Sequence, residues 1–326
     1  MKKYIAPLLL LFFLLIHLFI MGDYGFTWDF HFHFFGGGKL LGLEWQQLES
    51  RMLPYVEPDP RFAWSLPYGP IMSIPPVASY LLFSNMFPLL PQDSAYHLPV
   101  VLWGIAGIGT LYIFLKQAVN GRAALLGLIF LALTPRYFAD LHNNMKDIPS
   151  AVMFAVNMWL LWRLVRFKRP ADLLFSVLAF AVAFNVKINS IFIPAVFAVW
   201  LLLLRLHKKE LTKILPYFVF APLAALALWS IFWADPIGQL RHAYMTFGIG
   251  TNNIEVLLHG AWYCSGTTVP WYYPFWYLAI TTPIPLLFLL FVGICAKSKD
   301  SSLRNLFLLW LIIPLTRYAL PNIGVI

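Results

Sequence analysis

Several side chains that could do chemistry follow the first apolar run, which extends from Tyr4 to Met21. Asp29 should lie at a membrane–water boundary, where a carboxylate needs a partner or a function. In a helix, Asp29 and His33 share one face while His31 points elsewhere. In a strand all three would share a face and could bind a metal ion, but the dense aromatic residues favour a helix. Three potential ligands in one short run are a weak signal, and we predict no metal or other cofactor.

A second group of polar residues lies beside the ends of later apolar runs. It comprises Arg136, His142, Asn144, Lys146, Asp147 and, one loop further on, Lys187. A charge at bilayer depth costs roughly 3 kcal/mol, so these side chains should pair with one another or face a cavity. Each alone could instead extend into the lipid headgroups. Several together, with both signs of charge, indicate a site for an anionic group, because Arg and Lys match phosphate oxygens.

The composition excludes a single soluble core. Hydrophobic residues make up 60% of the 326 residues and charged residues only 11%, which predicts an all-α polytopic membrane protein. The net charge of +9 does not indicate nucleic acid binding, because the basic residues are dispersed between apolar runs. Cys264 and Cys295 fall on opposite sides of the predicted membrane, so we expect no disulfide between them.

The apolar runs predict about nine transmembrane spans within one domain, residues 1–326. They are Tyr4–Met21, Leu98–Leu115, Ala123–Phe138, Ile148–Leu164, Leu173–Val186, Ser190–Leu204, Ile214–Trp233, Trp271–Cys295 and Leu306–Leu320. The fifth and sixth could be one helix, but two spans with Lys187 at their outer turn fit the charge distribution better. With the N-terminus inside, 15 of the 23 basic residues and only three of the 14 acidic residues face inward, as the positive-inside rule requires.

The predicted external side carries one large loop, residues 23–96. Within it, Trp28–Leu53 could form an amphipathic helix along the interface. Ile71–Leu90 is apolar but interrupted by prolines, which favours an interfacial or re-entrant segment over a span. Gly36–Gly38 followed by Lys39 lacks the spacing of a phosphate-binding loop, so we interpret the glycines as a flexible turn.

Aromatic residues are concentrated between Trp262 and Tyr277, at the start of a predicted span. We interpret this run as an aromatic belt at the membrane interface. A sugar-stacking platform is the alternative.

Four blocks of the chain together resemble integral-membrane GT-C glycosyltransferases of the protein O-mannosyltransferase-like type, which includes the aminoarabinose transferases. The blocks are GFTWDFHFHFFGGGKLLGL (Gly25–Leu43), LTPRYFADLHNNMKDIPSAVMF (Leu133–Phe154), FNVKINSIFIP (Phe184–Pro194) and WYYPFWYLAITTPIPLL (Trp271–Leu287). The second block is the most specific, since the family commonly shows a Pro-Arg-Phe/Tyr run leading to Asn-Pro-Lys-Asp-Ile-Pro. This chain departs from the family at Phe30, where a second acidic residue is usual, and at Met145, where proline is usual.

The resemblance implies a GT-C-like fold and inverting transfer of a sugar from a polyprenyl-phosphate donor to a protein, lipid or glycan acceptor. Asp29 matches the family's catalytic base. Arg136, Lys146 and Lys187 are the candidate phosphate contacts, with His33, His142, Asn144 and Asp147 in support. The family usually continues beyond the position of Ile326, so we expect a fragment.

Two other functions remain open from the sequence. A transporter or flippase of an amphipathic lipid would also place charges near broken spans. An inactive membrane scaffold is the third possibility. For the enzyme we expect a bacterial inner membrane, with the site facing the periplasm.

Overall fold

The computed structural model describes residues 4–27, 30–43, 69–245, 255–296 and 300–320. Its helices are α1 (Ile5–Phe19), α2 (Phe30–Leu40), α3 (Pro70–Tyr80), α4 (Gln92–Ala118), α5 (Gly121–Leu133), α6 (Pro135–Asp140), α7 (Asp147–Phe167), α8 (Pro170–Val186), α9 (Phe192–Leu203), α10 (Lys208–Ile214), α11 (Tyr217–Leu228), α12 (Pro236–Tyr244), α13 (Tyr273–Thr281), α14 (Ile284–Cys295) and α15 (Ser301–Ala319). The described strands are β1 (Glu255–Leu258) and β2 (Ala261–Cys264), paired antiparallel with Glu255 opposite Cys264.

The chain divides into two compact units. The first comprises residues 1–160 and 174–190, and the second comprises residues 161–173 and 191–326. The first unit holds α1 to α6 with most of α7 and α8; the second holds α9 to α15 and the hairpin. Both are built almost entirely from helices, as expected for an all-α protein.

The apolar helices agree with the predicted membrane protein. Three described helical stretches are long and apolar enough to cross a bilayer: α4, α7 and the stretch Lys208–Leu228. The predicted span Trp271–Cys295 is instead two helices, α13 and α14, bent by 120° at the break between them. Shorter apolar helices cover Ile5–Phe19, Gly121–Leu133, Pro170–Val186 and Ile188–Leu203. The count of nine spans and the orientation remain predictions.

The flexible turn predicted at Gly36–Gly38 is wrong, because the three glycines lie inside helix α2. Gly37 allows close packing, because a Cβ there would come within 2.0 Å of the Ser73 carbonyl oxygen. Glycine therefore lets α2 lie directly against the backbone of α3.

The helix predicted over Trp28–Leu53 is also too long. Helix α2 ends near Leu40, where Gly42 adopts a positive φ of 75°. The amides of Gly42 and Leu43 bond to the carbonyls of Lys39 and Gly38, which is the glycine-terminated stop of a Schellman motif. The remaining predicted helical residues, from 44 onward, lie outside the described part.

Two of the three prolines expected to interrupt the segment Ile71–Leu90, Pro75 and Pro76, lie inside a helix, whereas the helical residues end at Met86, before Pro88. Helix α3 begins with Pro70 in its first turn, a favourable position, and continues through Pro75 and Pro76 to Tyr80. A π-helical turn, Leu81–Met86, follows it.

A glycine face on α4 seats the loop that carries the predicted phosphate contacts. A Cβ on Gly104 would meet the Leu141 side chain at 2.4 Å, and one on Gly107 would meet Val152 at the same distance. The Tyr137 hydroxyl donates a hydrogen bond to the Gly104 carbonyl at 2.8 Å. Small residues thus let α6, α7 and the turn between them approach α4 closely, as small residues do between membrane helices.

Helices α8 and α9 are separate, as the charge distribution predicted. Helix α8 ends at Val186, Lys187 stands between helical segments, and a 3₁₀ turn, Ile188–Ile191, leads into α9. The Ser190 hydroxyl donates to the Ala183 carbonyl at 2.8 Å and fixes this break. The turn therefore presents Lys187 at a defined position.

Candidate functional site

The site is built around an ion pair between residues far apart in sequence. Lys187 Nζ lies 2.5 Å from Asp147 Oδ1, and the two residues are 40 positions apart. Asp147 is the first residue of α7, and Lys187 follows the last residue of α8. Buried Asn157 donates to the carbonyls of Met153 and Ala179 and so ties these two helices together.

Asn144 orients the carboxylate of Asp147. Its side-chain oxygen accepts a hydrogen bond from the Asp147 amide at 2.9 Å, and its Nδ2 donates to Asp147 Oδ2 at 3.1 Å. The amide contact satisfies a backbone donor at the start of α7, as a helix-capping side chain does. Both carboxylate oxygens are therefore engaged, one by Asn144 and one by Lys187.

A second acidic residue, Asp140, connects this pair to Arg136. Arg136 Nε lies 3.6 Å from Asp140 Oδ2, and the arginine side chain is 67% exposed. Burial raises the pKa of Asp140, the nearby Asp147 carboxylate adds to that effect, and Arg136 and Asn144 oppose it. Because the contact is long and the guanidinium is open, Arg136 can turn towards an anionic ligand at small cost.

Lys146 lies beside the same carboxylate and acts on Asp147 electrostatically. Its carbonyl accepts the amide of Ser150 in the first turn of α7. The predicted cations Arg136, Lys146 and Lys187 therefore all belong to one charged network, in which Asp140 and Asp147 are the anions.

The large predicted external loop also reaches this site, at Gly69. Gly69 caps the start of α3, and a Cβ there would come within 1.7 Å of the Asn185 carbonyl oxygen. Asn185 is buried and donates from Nδ2 to the Ala181 carbonyl at 2.8 Å. Only glycine permits this approach, which brings the chain to within two residues of Lys187.

The predicted supporting histidines are both buried. His142 is fully buried and its Nε2 lies 3.0 Å from Nδ1 of His17 in α1. Burial lowers the pKa of His142, so this imidazole is neutral at pH 7. His33 is buried in α2.

The predicted base, Asp29, lies outside the described residues, as does the side chain of His31. Helix α2 begins at Phe30, which agrees with the helical interpretation of this segment. Within the described ranges, no three His, Cys, Asp or Glu residues come together in a way that could hold a metal ion.

The aromatic run forms an exposed surface. Trp271 and Trp276 are exposed, and the His259 ring lies 4.5 Å from that of Trp276. The interface belt and the sugar platform both remain predictions.

Sequence reasoning assigned no role to four residues that build the site or its surroundings: His17, Gly69, Asp140 and Asn185. An ionisable His17 inside the first apolar run was a signal, since such residues are rare in spans and often functional. Asp140 lies four residues after Arg136 in a helix, a spacing that favours an ion pair. Nothing in the sequence marks Gly69, because its partner is a backbone atom distant in the chain.

Comparison with known proteins gives one finding. A family model described as dolichyl-phosphate-mannose-protein mannosyltransferase matches residues 73–233. Searches among curated proteins and among solved structures return no significant match. The matched range contains the whole charged network but neither Asp29 nor His33.

This family implies glycosyltransferase activity with polyprenyl-phosphate sugar donors, and the apolar helices agree with an integral membrane protein. The match to residues 73–233, just under half of the chain, supports a GT-C-like family of the dolichyl-phosphate-mannose-protein mannosyltransferase type.

Proposed function

We propose that this protein transfers a sugar, with inversion, from a polyprenyl-phosphate donor to an acceptor hydroxyl on the external side of its membrane. The observation that carries the proposal is the network of Asn144, Asp147 and Lys187 within the matched segment. It holds a partly exposed lysine at a fixed position, with further cations beside it. A phosphate group is the ligand that such an arrangement suits.

The donor's phosphate changes charge during the reaction, and this change gives the cations their role. In the donor, phosphate is a diester with one negative charge. When the bond between the anomeric carbon and the phosphate oxygen breaks, the electron pair stays on that oxygen and the charge grows towards two. Lys187, Lys146 and Arg136 would stabilise the growing charge, and interactions that strengthen in the transition state are those that accelerate reactions.

Asp147 tunes Lys187 for this role. Paired with a carboxylate, the ammonium group attracts the singly charged donor less than a free lysine would. It also stays correctly oriented, so little reorganisation is needed when the phosphate charge increases. The arrangement thereby favours the transition state over the bound donor.

Asp29 is the proposed base. It would take the proton from the acceptor hydroxyl as the acceptor oxygen attacks the anomeric carbon from the face opposite the phosphate. General base catalysis contributes about 10²- to 10⁴-fold. The acceptor class, a protein, lipid or glycan hydroxyl, and the periplasmic orientation belong to the proposal.

The test follows release of polyprenyl phosphate by mass spectrometry in lipid nanodiscs, with a panel of polyprenyl-phosphate sugars and acceptors. We expect Asp29→Asn to lower the rate by at least about 10²-fold. Glu255→Gln, a neutralisation of an exposed carboxylate on β1, is the matched control and should leave the rate unchanged. Equal rates for wild type and Asp29→Asn would remove Asp29 as the base.

The same assay separates enzyme from transporter. An enzyme releases polyprenyl phosphate, a flippase moves intact donor across the bilayer, and a scaffold does neither. Charge reversal at Lys146, Lys146→Glu, should mainly impair use of the donor. A loss confined to acceptor affinity would contradict the assignment of Lys146 to the phosphate.

A further inference from the structure

A buried pair of histidines connects two segments of the chain beside the proposed site. His17 lies in the last turn of α1, and His142 lies in the turn between α6 and α7. Their ring nitrogens meet at 3.0 Å although the residues are 125 positions apart. Both rings are fully buried. Such a bond joins two segments that the sequence does not bring together.

The pair leaves two buried ring nitrogens without a described partner. A neutral imidazole has one nitrogen that donates and one that accepts, and the tautomers of the two rings decide which ring donates in the bond between them. The other ring nitrogens, Nε2 of His17 and Nδ1 of His142, are both buried and have no hydrogen-bond partner among the described residues.

A histidine pair whose remaining ring nitrogens are buried without a described partner stabilises a fold poorly. A net hydrogen bond contributes about 1 kcal/mol, whereas a buried polar atom without a partner costs about 1–3 kcal/mol. Two well-packed apolar side chains would hold α1 in place equally well. The bond is thus better explained by the position that it enforces.

The bond positions the segment of chain that leads from α1 towards Asp29. The ring of Tyr24 stacks on His142 with centroids 4.0 Å apart and planes within 12°. Further along, Phe26 packs on Phe30 at 4.0 Å. His142 thus contacts the chain on both sides of the turn Met21–Asp23, and Phe30 directly follows Asp29 in the sequence.

On its other side, the contact involves the turn that carries His142 and Asn144. His142 is two residues before Asn144, which orients Asp147, and Leu141 seats this turn against Gly104 of α4. The groups that face the pair from neighbouring elements are Asp23 and His97.

We propose that the His17–His142 hydrogen bond is a positioning contact that fixes the segment leading to Asp29 relative to the turn that carries Asn144 and Asp147. Neither histidine is a catalytic residue. The proposal rests on the proposed function for its catalytic consequence, since it sets the base relative to the donor phosphate. Displacement of a reacting group by about 1 Å can lower a rate by about 10²-fold.

The test uses His17→Phe, His142→Phe and the double variant of the full chain in lipid nanodiscs. Phenylalanine keeps an aromatic ring in each buried place and removes the hydrogen bond. We expect each single variant to lower kcat at least about tenfold with donor KM unchanged, and the double variant to lose no more than the singles. His242→Phe, at an exposed position on α12, is the control and should keep wild-type kcat.

Hydrogen exchange of the amides of residues 20–27 in the same samples gives a readout that does not depend on transfer. We expect faster exchange there in all three variants and unchanged exchange in α7. Wild-type kcat in the double variant, or unchanged exchange in residues 20–27, would overturn the proposal. If the wild type transfers no sugar but exchange responds as expected, the positioning contact is supported and the proposed function fails.

Discussion

Helix α7 has an ion pair at each end, and the two pairs differ in the solvent exposure of their carboxylates. Near its last turn, Arg163 Nε meets Asp172 Oδ1 at 2.8 Å; the partners are nine positions apart, and the Asp172 side chain is only 2% exposed. At its first residue, Asp147 meets Lys187 across 40 residues, and the Asp147 side chain is 44% exposed. The two cations are similarly exposed, Arg163 at 26% and Lys187 at 25%, so the pairs differ in sequence separation and in the carboxylate, which is closed off in Asp172 and open in Asp147.

We propose that this difference separates a structural ion pair from a functional one. The Arg163 pair closes the short connection between α7 and α8, where loss of one partner leaves a charge in a buried place. An open pair contributes only about 0–1 kcal/mol to folding. The distant helix ends that meet at Asp147 and Lys187 are therefore not explained by stability, and a ligand for the exposed charges accounts for them better.

The largest expected effect on folding is at the buried end. Arg163→Met should lower the free energy of unfolding by about 3 kcal/mol, because it removes the cation beside a buried carboxylate. Lys187→Met should lower it by less than about 1 kcal/mol. Chemical denaturation of both variants in detergent, followed by circular dichroism, makes the comparison. Equal losses would show that both pairs are structural.

A smaller effect on transfer is expected where the chain approaches Lys187. Gly69→Ala would press a Cβ against the Asn185 carbonyl oxygen, so one of the two segments must move. We expect transfer to fall about 10- to 100-fold, since misplacement by about 1 Å has effects of this size. Gly121→Ala, where a Cβ meets no atom within 4 Å, is the control. Wild-type transfer in Gly69→Ala would separate this contact from the site.

The smallest effect concerns Asp140 and pH. Its pKa is raised, with burial as the main cause, so between the ordinary and the raised pKa the folded state binds more protons than the unfolded state. The contribution of Asp140 to stability therefore falls as pH rises through this window and is unfavourable at pH 7. Asp140→Asn should keep or raise the unfolding temperature at pH 7. A clear decrease there would contradict the direction of the shift.

The sequence predicted the helical membrane fold and the charged residues that the structure joins in one network, because both depend on residue type and local pattern. Apolar runs mark helices, and charges at their ends mark Arg136, Lys146, Asp147 and Lys187. The sequence indicated that these charges would pair with one another. It could not show that Asp147 pairs with Lys187, because that depends on how α7 and α8 pack.

The sequence did not predict contacts with partners distant in the chain, including those made by backbone atoms. The glycines of α2 resembled a turn because three glycines have low helix propensity, yet the approach of α3 to Gly37 determined the structure. Gly69 and His17 acquire their significance only from partners distant in the chain. In each case tertiary packing overrides the local signal.

The most direct test of the donor site is single-turnover release of polyprenyl phosphate by Lys187→Met, measured in nanodiscs beside wild type. Arg163→Met, assayed below its unfolding temperature, is the control from the other end of α7. We predict a loss of at least about 10²-fold for Lys187→Met, the size expected when one stabilising cation leaves a site of developing charge, and no loss for the control. A Lys187→Met protein that is folded and releases polyprenyl phosphate at the wild-type rate would contradict the assignment of Lys187 to the donor phosphate.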